Sequence, residues 1–254
     1  MILKKNLKKI IPIILAAGRG SRIKKLTRNK PKSLIKIRKN FRLIDQILDN
    51  FNNNNLSEPY LISGYQNKKF KKIKNIKIIN NDRWKNTNIT GSLLKVLNIL
   101  RYNTCIISYS DIYYEKDAIR ILKKDKRKNC ILLLSNKNWK KYWFKRFYNP
   151  LRDLESFKIN KKNQLIEIGS KVGSLDEIQG QYMGLLRTNP SIWNKIIFYF
   201  KNNLKKFEKY DITQFLNFIL TNKICPIYVI NYKKKWYEID NYKDYQILKN
   251  SFRI

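Results

Sequence analysis

The side chains best suited to chemistry lie in a glycine-rich, basic segment that follows an apolar run. Residues 10–17 are apolar, residues 18–22 are Gly-Arg-Gly-Ser-Arg, and Lys32 follows Pro31. Small residues at the carboxyl end of a strand let backbone N–H groups approach phosphate oxygens, and basic side chains neutralise the phosphate charge. We therefore expect a nucleoside triphosphate to bind here. The candidate residues are Leu15, Ala16, Ala17, Gly18, Arg19, Gly20, Ser21, Arg22 and Lys32.

Two common phosphate-binding patterns are excluded for this segment. The sequence contains no Walker A string G-x-x-x-x-G-K-[ST]. The dinucleotide fingerprint G-x-G-x-x-G is also excluded, because Ile23 stands where the third glycine is needed. Gly-x-Gly alone is a weak signal, and the specificity comes from the full string together with Pro31 and Lys32.

Predicted strands alternate with predicted helices through the first half of the chain. The predicted strands are residues 10–17, 60–63, 76–79, 105–109, 131–134, 156–160, 164–169, 181–186, 226–232 and 236–239. The predicted helices are residues 42–51, 89–100, 116–124, 191–208, 212–221 and 241–250. Alternation of this kind predicts an α/β fold with a mostly parallel sheet and right-handed crossovers. We expect one domain, residues 1–254, with a nucleotide-binding half (1–150) and a closing half (151–254).

The net charge is +37, from 55 basic and 18 acidic residues. Such a charge is typical of proteins that bind nucleic acid. However, the lysines are dispersed and accompany abundant Asn and Ile, all of which AT-rich codons encode. Without an RNP motif, zinc-finger spacing or a dense basic tail, we predict no specific nucleic-acid partner. The charge instead favours association with phosphorylated substrates and anionic surfaces.

Several classes of site and location are excluded by composition. The chain has no histidine, which excludes Ser–His triads and imidazole bases. Cys105, Cys130 and Cys225 lie far apart without CxxC spacing, which argues against a zinc site or a disulfide framework. The basic start and the apolar run resemble a signal peptide, but the run is short and contains Pro12. We expect a buried strand there, no membrane insertion and a cytoplasmic protein.

The glycine-rich segment resembles the signature of the sugar-nucleotidyltransferase superfamily, L-A-A-G-x-G-[ST]-R followed by P-K. The chain departs from the family at Lys25, where Pro is frequent. Over nearly its whole length the chain is similar to the phosphocholine cytidylyltransferase-like branch. The matching segments are residues 80–93, 110–111, 139–155, 179–185 and 236–240. The resemblance implies a Rossmann-like three-layer α/β/α nucleotidyltransferase fold with a C-terminal acceptor lobe.

The resemblance also implies a Mg²⁺ ion shared by Asp111 and Asp240. Each residue follows a predicted strand, where a lone Asp is more often a turn or a helix cap. Catalytic roles fall to Arg19, Lys32, Asp111 and Asp240. The attacking phosphate monoester needs no general base, because its second pKa is about 6. The absence of histidine is therefore compatible with this chemistry.

Base selection is assigned by the resemblance to Gly64, Asn88 and Ser92, with CTP as the preferred NTP. Aromatic faces can surround a quaternary ammonium, although aromatic side chains are more often core residues. We favour core packing for Tyr142 and Trp143. The candidates for the acceptor pocket are Trp139, Tyr182, Trp236 and Glu238.

The expected function is that of a Mg²⁺-dependent nucleotidyltransferase that transfers CMP from CTP to a small phosphorylated amine or amide such as phosphocholine. The product would serve modification of a surface glycan or lipid. The alternative enzyme is a sugar-1-phosphate nucleotidyltransferase, and the non-enzymatic alternative is a basic nucleic-acid-binding protein. The sequence leaves open the exact acceptor and whether the chain forms a homo-oligomer.

Overall fold

The computed structural model describes residues 10–201 and 203–252, so the basic residues before Ile10 lie outside the described residues. The strands are β1 (Ile11–Ala16), β2 (Lys36–Arg38), β3 (Phe41–Arg42), β4 (Tyr60–Ser63), β5 (Lys77–Asn80), β6 (Cys105–Tyr109), β7 (Ile112–Tyr114), β8 (Ile131–Asn136), β9 (Glu155–Ile159), β10 (Leu165–Lys171), β11 (Gln181–Thr188), β12 (Ile227–Tyr232) and β13 (Trp236–Glu238). The helices are α1 (Lys24–Thr27), α2 (Leu43–Asn52), α3 (Ile89–Leu94), α4 (Leu97–Tyr102), α5 (Asp117–Lys124), α6 (Trp139–Arg146), α7 (Pro190–Phe200), α8 (Leu204–Phe207), α9 (Ile212–Thr221) and α10 (Tyr242–Asn250).

A seven-stranded sheet forms the centre of the molecule, with strand order β12-β8-β11-β6-β1-β4-β5. Its neighbouring strands are parallel except for β11, which runs antiparallel to both β6 and β8. The prediction of a mixed, mostly parallel sheet is confirmed. Because β1 and β6 are parallel neighbours, the residues that follow them emerge at the same edge of the sheet.

Two predicted helices are each broken in the structure. The helix expected over residues 89–100 is α3 and α4, because Val96 leaves the helical conformation at φ −115° and ψ 20°. The helix expected over residues 191–208 is α7 and α8, separated before Asn203, which has φ −148°. Asn203 is the N-cap residue of α8, a position that Asn favours, although its side chain makes no cap hydrogen bond.

Several short elements were not predicted. They are β2, β3, β7, α1 and α6. Helix α6 has the sequence Trp-Lys-Lys-Tyr-Trp-Phe-Lys-Arg, and its aromatic residues are weak helix formers. The unpredicted β7 nevertheless has a large effect on the fold, because it pairs antiparallel with β13.

A second, smaller apolar core joins the segment after β1 to the end of the chain. Its buried residues are Ile23, Ile35, Ile37, Leu43, Ile239 and Leu248. Ile23 and Ile35 flank Lys32 in sequence, whereas Ile239 directly precedes Asp240. Burial of this cluster therefore brings Lys32 and Asp240 together, although they are far apart along the chain.

The pairing of β7 with β13 brings the two aspartates predicted to bind metal to the same place. Glu238 lies opposite Ile112 in this ribbon. Just beyond it, the backbone N–H of Ile239 donates to the carbonyl oxygen of Asp111 at 3.0 Å. Asp111, directly before β7, and Asp240, shortly after β13, thus lie at the same end of this ribbon, beside the carboxyl end of β6.

Within residues 10–201 and 203–252, no helix has the length and apolar character needed to cross a membrane. Cys105, Cys130 and Cys225 are buried and carry free thiols. All three pack in the main core beside the sheet.

We expect Gly64→Ala to lower the free energy of unfolding by about 1–3 kcal/mol, as overpacking usually does. A Cβ atom at Gly64 would lie 2.6 Å from the carbonyl oxygen of Ala17 and 2.7 Å from Cβ of Trp84. The matched control is Gly173→Ala, where a Cβ atom meets nothing within 4 Å. We expect that variant to be neutral or more stable by up to about 1 kcal/mol. Urea denaturation measures both, and equal losses in the two variants would contradict the prediction.

Candidate active site

The glycine-rich loop after β1 is closed by its own hydrogen bonds. Gly20 adopts the left-handed conformation with φ 66°. A Cβ atom there would lie 3.3 Å from Cβ of Lys32, so the close approach of Lys32 also favours glycine. The hydroxyl of Thr27 donates to the carbonyl oxygen of Gly20 at 2.9 Å. Ser21 and Arg22 are exposed at the start of the following turn.

The ammonium of Lys32 lies between two carboxylates. Its Nζ donates to Oδ2 of Asp111 at 2.6 Å and to Oδ1 of Asp240 at 3.1 Å. The Lys32 side chain is only 11% exposed. Burial by itself lowers the pKa of Lys32, but the charges of Asp111 and Asp240 outweigh it and raise the pKa above the usual lysine range. Lys32 therefore stays charged.

Asp240 is surrounded by cations. Besides Lys32, the guanidinium of Arg22 lies 3.6 Å from Oδ1 and that of Arg146 lies 3.4 Å from Oδ2. Burial alone would raise the pKa of Asp240, but Lys32, Arg22 and Arg146 hold it below its usual value. Asp240 therefore remains ionised and can serve as a hard oxygen ligand.

Arg146, at the end of α6, fixes the position of the turn that carries Asp240. Its side chain is 1% exposed, and its guanidinium lies 4.7 Å from the centre of the Trp143 ring. It donates to the two carboxylate oxygens of Asp244 at 2.9 and 3.1 Å. Asp244 in turn accepts from the backbone N–H of Asp240 at 2.9 Å. This chain of charge-assisted hydrogen bonds fixes the backbone that carries Asp240.

These residues enclose a cleft of about 380 Å³ at the carboxyl edge of the sheet. Most of the residues predicted to bind nucleotide or metal line it. Those residues are Leu15, Gly18, Gly20, Ser21, Arg22, Lys32, Asn88, Asp111 and Asp240. Glu238, predicted to contact an acceptor, also lines the cleft. The arrangement places basic groups, small residues and the carboxylates of Asp111, Asp240 and Glu238 around a single space suitable for a metal-bound polyphosphate.

Other predicted nucleotide-binding residues lie beside the cleft. Ala16 and Ala17 are buried at the end of the β1 segment. The guanidinium of Arg19 is exposed and lies 5.6 Å from the centre of the Tyr65 ring. Gly64 packs against Ala17, and the hydroxyl of Ser92 accepts a hydrogen bond from Asn81 at 3.2 Å. These residues therefore support the wall of the cleft without lining it.

The structure does not bring Trp139 and Trp236 into the cleft. Trp139 is 2% exposed and Trp236 is 3% exposed. The ring of Trp236 stacks on Trp143 at 6.0 Å, and its N–H donates to the carbonyl oxygen of Met183 at 2.9 Å. Both rings are packed in the main core.

A smaller cavity of about 160 Å³ adjoins the cleft, and Tyr109 and Glu238 line both. Tyr182, predicted as an acceptor residue, forms part of the smaller cavity and meets Tyr109 edge to face at 6.0 Å. Of the described residues that line this cavity, two carry charge, and both, Glu155 and Glu238, are acidic. We call this space the acidic pocket.

Glu238 forms the boundary between the cleft and the acidic pocket. Its side chain is 22% exposed. Burial, reinforced by the neighbouring charges of Asp240 and Asp111, raises the pKa of Glu238 to about 8, although Arg146 and Lys32 oppose the rise. An additional cation is therefore favourable at this point.

Several residues that line or support the site were not among the predicted site residues, including Tyr109, Arg146 and Glu155. Tyr109 ends a predicted apolar strand directly before Ser110 and Asp111, and a polar residue at a strand end is a usable signal. Arg146 and Glu155 lie in the segment that resembles the cytidylyltransferase branch, but the carboxylates of Glu238, Asp240 and Asp244, with which Arg146 pairs, are remote in sequence.

Asp111 and Asp240 are suited to hold a divalent cation. Both direct a carboxylate oxygen at the same ammonium, so the two oxygens converge on one point that favours positive charge. Mg²⁺ is commonly bound by one or two carboxylates together with substrate phosphates. In the described part of the chain, no group of three His, Cys, Asp or Glu residues could hold a metal ion without other ligands.

Comparison with known proteins agrees with this geometry. The sequence profile of the nucleotidyl transferase family matches residues 11–141. A CTP:phosphoglutamine cytidylyltransferase from Campylobacter jejuni is 30% identical over 251 residues, which covers 92% of this chain and 97% of the relative. The resemblance predicted from the sequence motifs is thereby confirmed.

Two solved structures share the fold over almost their whole length. One is the CTP:phosphocholine cytidylyltransferase LicC from Streptococcus pneumoniae, with a TM-score of 0.71, 20% identity and coverage of 96% of this chain and 99% of that chain. The other is the inositol-1-phosphate CTP transferase from T. maritima, with a TM-score of 0.73, 15% identity and coverage of 97% of each chain. The profile match, the curated relative and the shared Rossmann-like α/β fold together show that this chain belongs to the nucleotidyl transferase family.

Proposed function

We propose that this protein transfers CMP from CTP to a small phosphorylated amine or amide and releases pyrophosphate. The observation that carries the proposal is the wall shared by the cleft and the acidic pocket, formed by Tyr109 and Glu238. A triphosphate in the cleft and an acceptor in the acidic pocket would meet at this wall. The choice of CTP is supported by the Campylobacter relative, a CTP:phosphoglutamine cytidylyltransferase.

The charge of the acidic pocket supports an acceptor that carries a cationic group. Basic residues outnumber acidic ones by 55 to 18 in the chain, yet the charged residues among those described in this pocket are Glu155 and Glu238. A neutral sugar could donate hydroxyl hydrogen bonds to these carboxylates, but an ammonium group would also be attracted by their charge and would favour the ionised form of Glu238, whose pKa is about 8 without it. Tyr182 and Tyr109 add ring surface that suits an alkylated ammonium.

The chemistry that we propose is direct displacement at phosphorus. An oxygen of the acceptor phosphate forms a bond to the α-phosphorus of CTP, and the bond from that phosphorus to the pyrophosphate oxygen breaks. Backbone N–H groups of the glycine-rich loop, together with Arg22 and Lys32, would position the triphosphate and stabilise the leaving group. Arg19, exposed beside the cleft mouth, would add positive charge there.

Asp111 and Asp240 would hold Mg²⁺ in this proposal. The ion would supply positive charge that offsets the negative charge of the phosphates. Lys32 keeps the two carboxylates close together despite their mutual repulsion, since its ammonium contacts both. Among the residues proposed to select the base, Asn88 lines the cleft, while Gly64 and Ser92 would act by supporting its wall.

The first prediction concerns Asp111. We expect pyrophosphate release with CTP, Mg²⁺ and one phosphorylated amine or amide, and a fall of about 100-fold or more in kcat for Asp111→Asn. The assay compares the four NTPs and a panel of phosphocholine, phosphorylated glutamine, inositol 1-phosphate and sugar 1-phosphates. Asp176→Asn is the matched control, because the Asp176 side chain is 94% exposed on the surface.

Two outcomes would contradict the proposal in different ways. Activity restricted to sugar 1-phosphates would retain the enzyme class and reject the cationic acceptor. No release with any pair from the folded protein, combined with steeply salt-dependent binding to random nucleic acid, would favour the nucleic-acid-binding alternative.

The second prediction concerns the acidic pocket. We expect Glu155→Gln to raise KM for a cationic acceptor by about tenfold, because a charged interaction of this kind contributes roughly 1.5 kcal/mol. KM for CTP should change little, since Glu155 does not line the cleft. Steady-state kinetics with each substrate varied separately measure the difference. Glu167→Gln is the control, because Glu167 pairs with Lys158 on the outer hairpin. A rise in KM for CTP alone would disprove the assignment.

The third prediction concerns Arg146 as a positioning residue. Arg146→Lys keeps the charge but loses the two-pronged contact with Asp244. We expect the Mg²⁺ concentration for half-maximal activity to rise about tenfold or more, as is common when a residue behind a metal ligand is changed. Arg120→Lys is the control, because Arg120 is an exposed arginine, paired with the largely buried Asp117, that lines neither the cleft nor the acidic pocket. An unchanged Mg²⁺ dependence with a lower Tm would show that Arg146 is only structural.

A further inference from the structure

The outward face of α7 carries exposed aromatic side chains. Phe198 is 78% exposed and Tyr199 is 48% exposed, which is unusual for large rings on a helix that packs against the core. Asn194, Lys195, Phe198 and Tyr199 recur at helical spacing, so they share one face. The opposite face of α7 is buried in the main core.

Basic side chains surround these rings. Lys195 and Lys223 line the same surface depression of about 500 Å³ as Phe198 and Tyr199. The guanidinium group of Arg101 in α4 donates to Asn194 at 3.2 Å, which places a third cation at the edge of the depression. We call Arg101, Lys195, Phe198, Tyr199 and Lys223 the α7 patch. Beyond it, the exposed residues Lys201, Lys205, Lys206 and Lys209 continue the positive charge.

We propose that the α7 patch docks the protein reversibly on an anionic lipid bilayer. Exposed rings flanked by lysines on one helix face are the combination that binds at the boundary between headgroups and acyl chains. Phe198 and Tyr199 would enter this boundary, while Lys195, Lys223 and Arg101 would contact anionic headgroups. The net charge of +37 adds long-range attraction to such a surface.

A second copy of this chain fits the α7 patch poorly. A two-fold contact would bring the patch against itself, so the basic side chains of Arg101, Lys195 and Lys223 would face their own mates. The exposed apolar surface of the patch comes from two rings, those of Phe198 and Tyr199. This is too little for a stable protein interface, which buries about 800 Å² on each partner.

The arrangement of the rings also disfavours single-stranded nucleic acid. Proteins that bind it present aromatic faces on which successive bases stack. The rings of Phe198 and Tyr199 are instead perpendicular, at 90° with centroids 6.0 Å apart. One ring therefore presents its edge to the face of the other, and the pair does not form a stacking row.

Docking through the α7 patch would leave the active site open. None of the five residues of the patch lines the cleft or the acidic pocket. The proposal does not depend on which acceptor is used, because it rests on a different surface of the molecule. Binding to lipid and release of pyrophosphate can therefore be measured independently.

The test is co-sedimentation of the full chain with vesicles of phosphatidylcholine containing phosphatidylglycerol, compared with phosphatidylcholine alone. We expect binding to the anionic vesicles only, and a fall of about tenfold in the bound-to-free ratio for Phe198→Ser combined with Tyr199→Ser. Added salt should also release the protein, because the Debye length falls to about 3 Å at 1 M. Pyrophosphate release without vesicles should be unchanged in the double variant.

The matched control is Tyr148→Ser, which removes another fully exposed ring, at 105% exposure, from a loop outside the α7 patch. It should bind anionic vesicles like the unchanged protein. A second variant, Lys195→Glu with Lys223→Glu, should also lose binding while retaining the far-UV spectrum. Absence of vesicle binding, equal binding by the Phe198 and Tyr199 double variant, or preferential binding of an oligonucleotide would overturn the proposal. A dimer that this double variant dissociates would overturn it as well.

Discussion

The rest of the site depends on the pairing of the Lys32 ammonium with the carboxylates of Asp111 and Asp240. The Lys32 side chain is only 11% exposed, so its charge must be paired. Charges removed from water are stable only when they are paired and hydrogen-bonded. Three separate segments must therefore meet at one point: the loop after β1, the turn after β6 and the turn after β13. The β7–β13 ribbon and the second apolar core bring them together. Arg146, through Asp244, then fixes the backbone of the last segment.

Acidic and basic side chains are distributed unevenly around the site, although lysine is in large excess over the whole chain. The cleft holds Arg22 and Lys32 beside Asp111, Asp240 and the shared Glu238, whereas the charged residues among those described in the adjoining pocket are Glu155 and Glu238. With a metal ion on Asp111 and Asp240, as proposed, an acceptor with an anionic and a cationic end would be oriented with its phosphate toward the cleft. Electrostatic attraction falls with distance, so orientation depends on these few near charges more than on the dispersed surface lysines.

The sheet and most of the cleft could be predicted from the sequence, because each depends on local patterns. Strands β1, β4 and β6 are short apolar runs bounded by turn residues, and the glycine-rich string follows the first of them. The local sequence pattern does not show whether an aromatic side chain faces a pocket or the core. Trp139 and Trp236 were predicted to line an acceptor pocket, but they pack in the core, while Tyr182 borders the acidic pocket. Arg146 was missed because its partner Asp244 is far away in the sequence.

The small apolar core also affects how the molecule is made. It joins Ile23 and Ile35, synthesised early, to Ile239 and Leu248, synthesised late. When the nascent chain includes Asp111 but not yet Asp240, Lys32 has only one of its two carboxylate partners. The apolar cluster then also lacks Ile239 and Leu248. The nucleotide loop therefore has only part of its support until residues 239–248 have been synthesised. Because Asp240 lines the cleft, the cleft can be completed only after this late segment has packed against the early one.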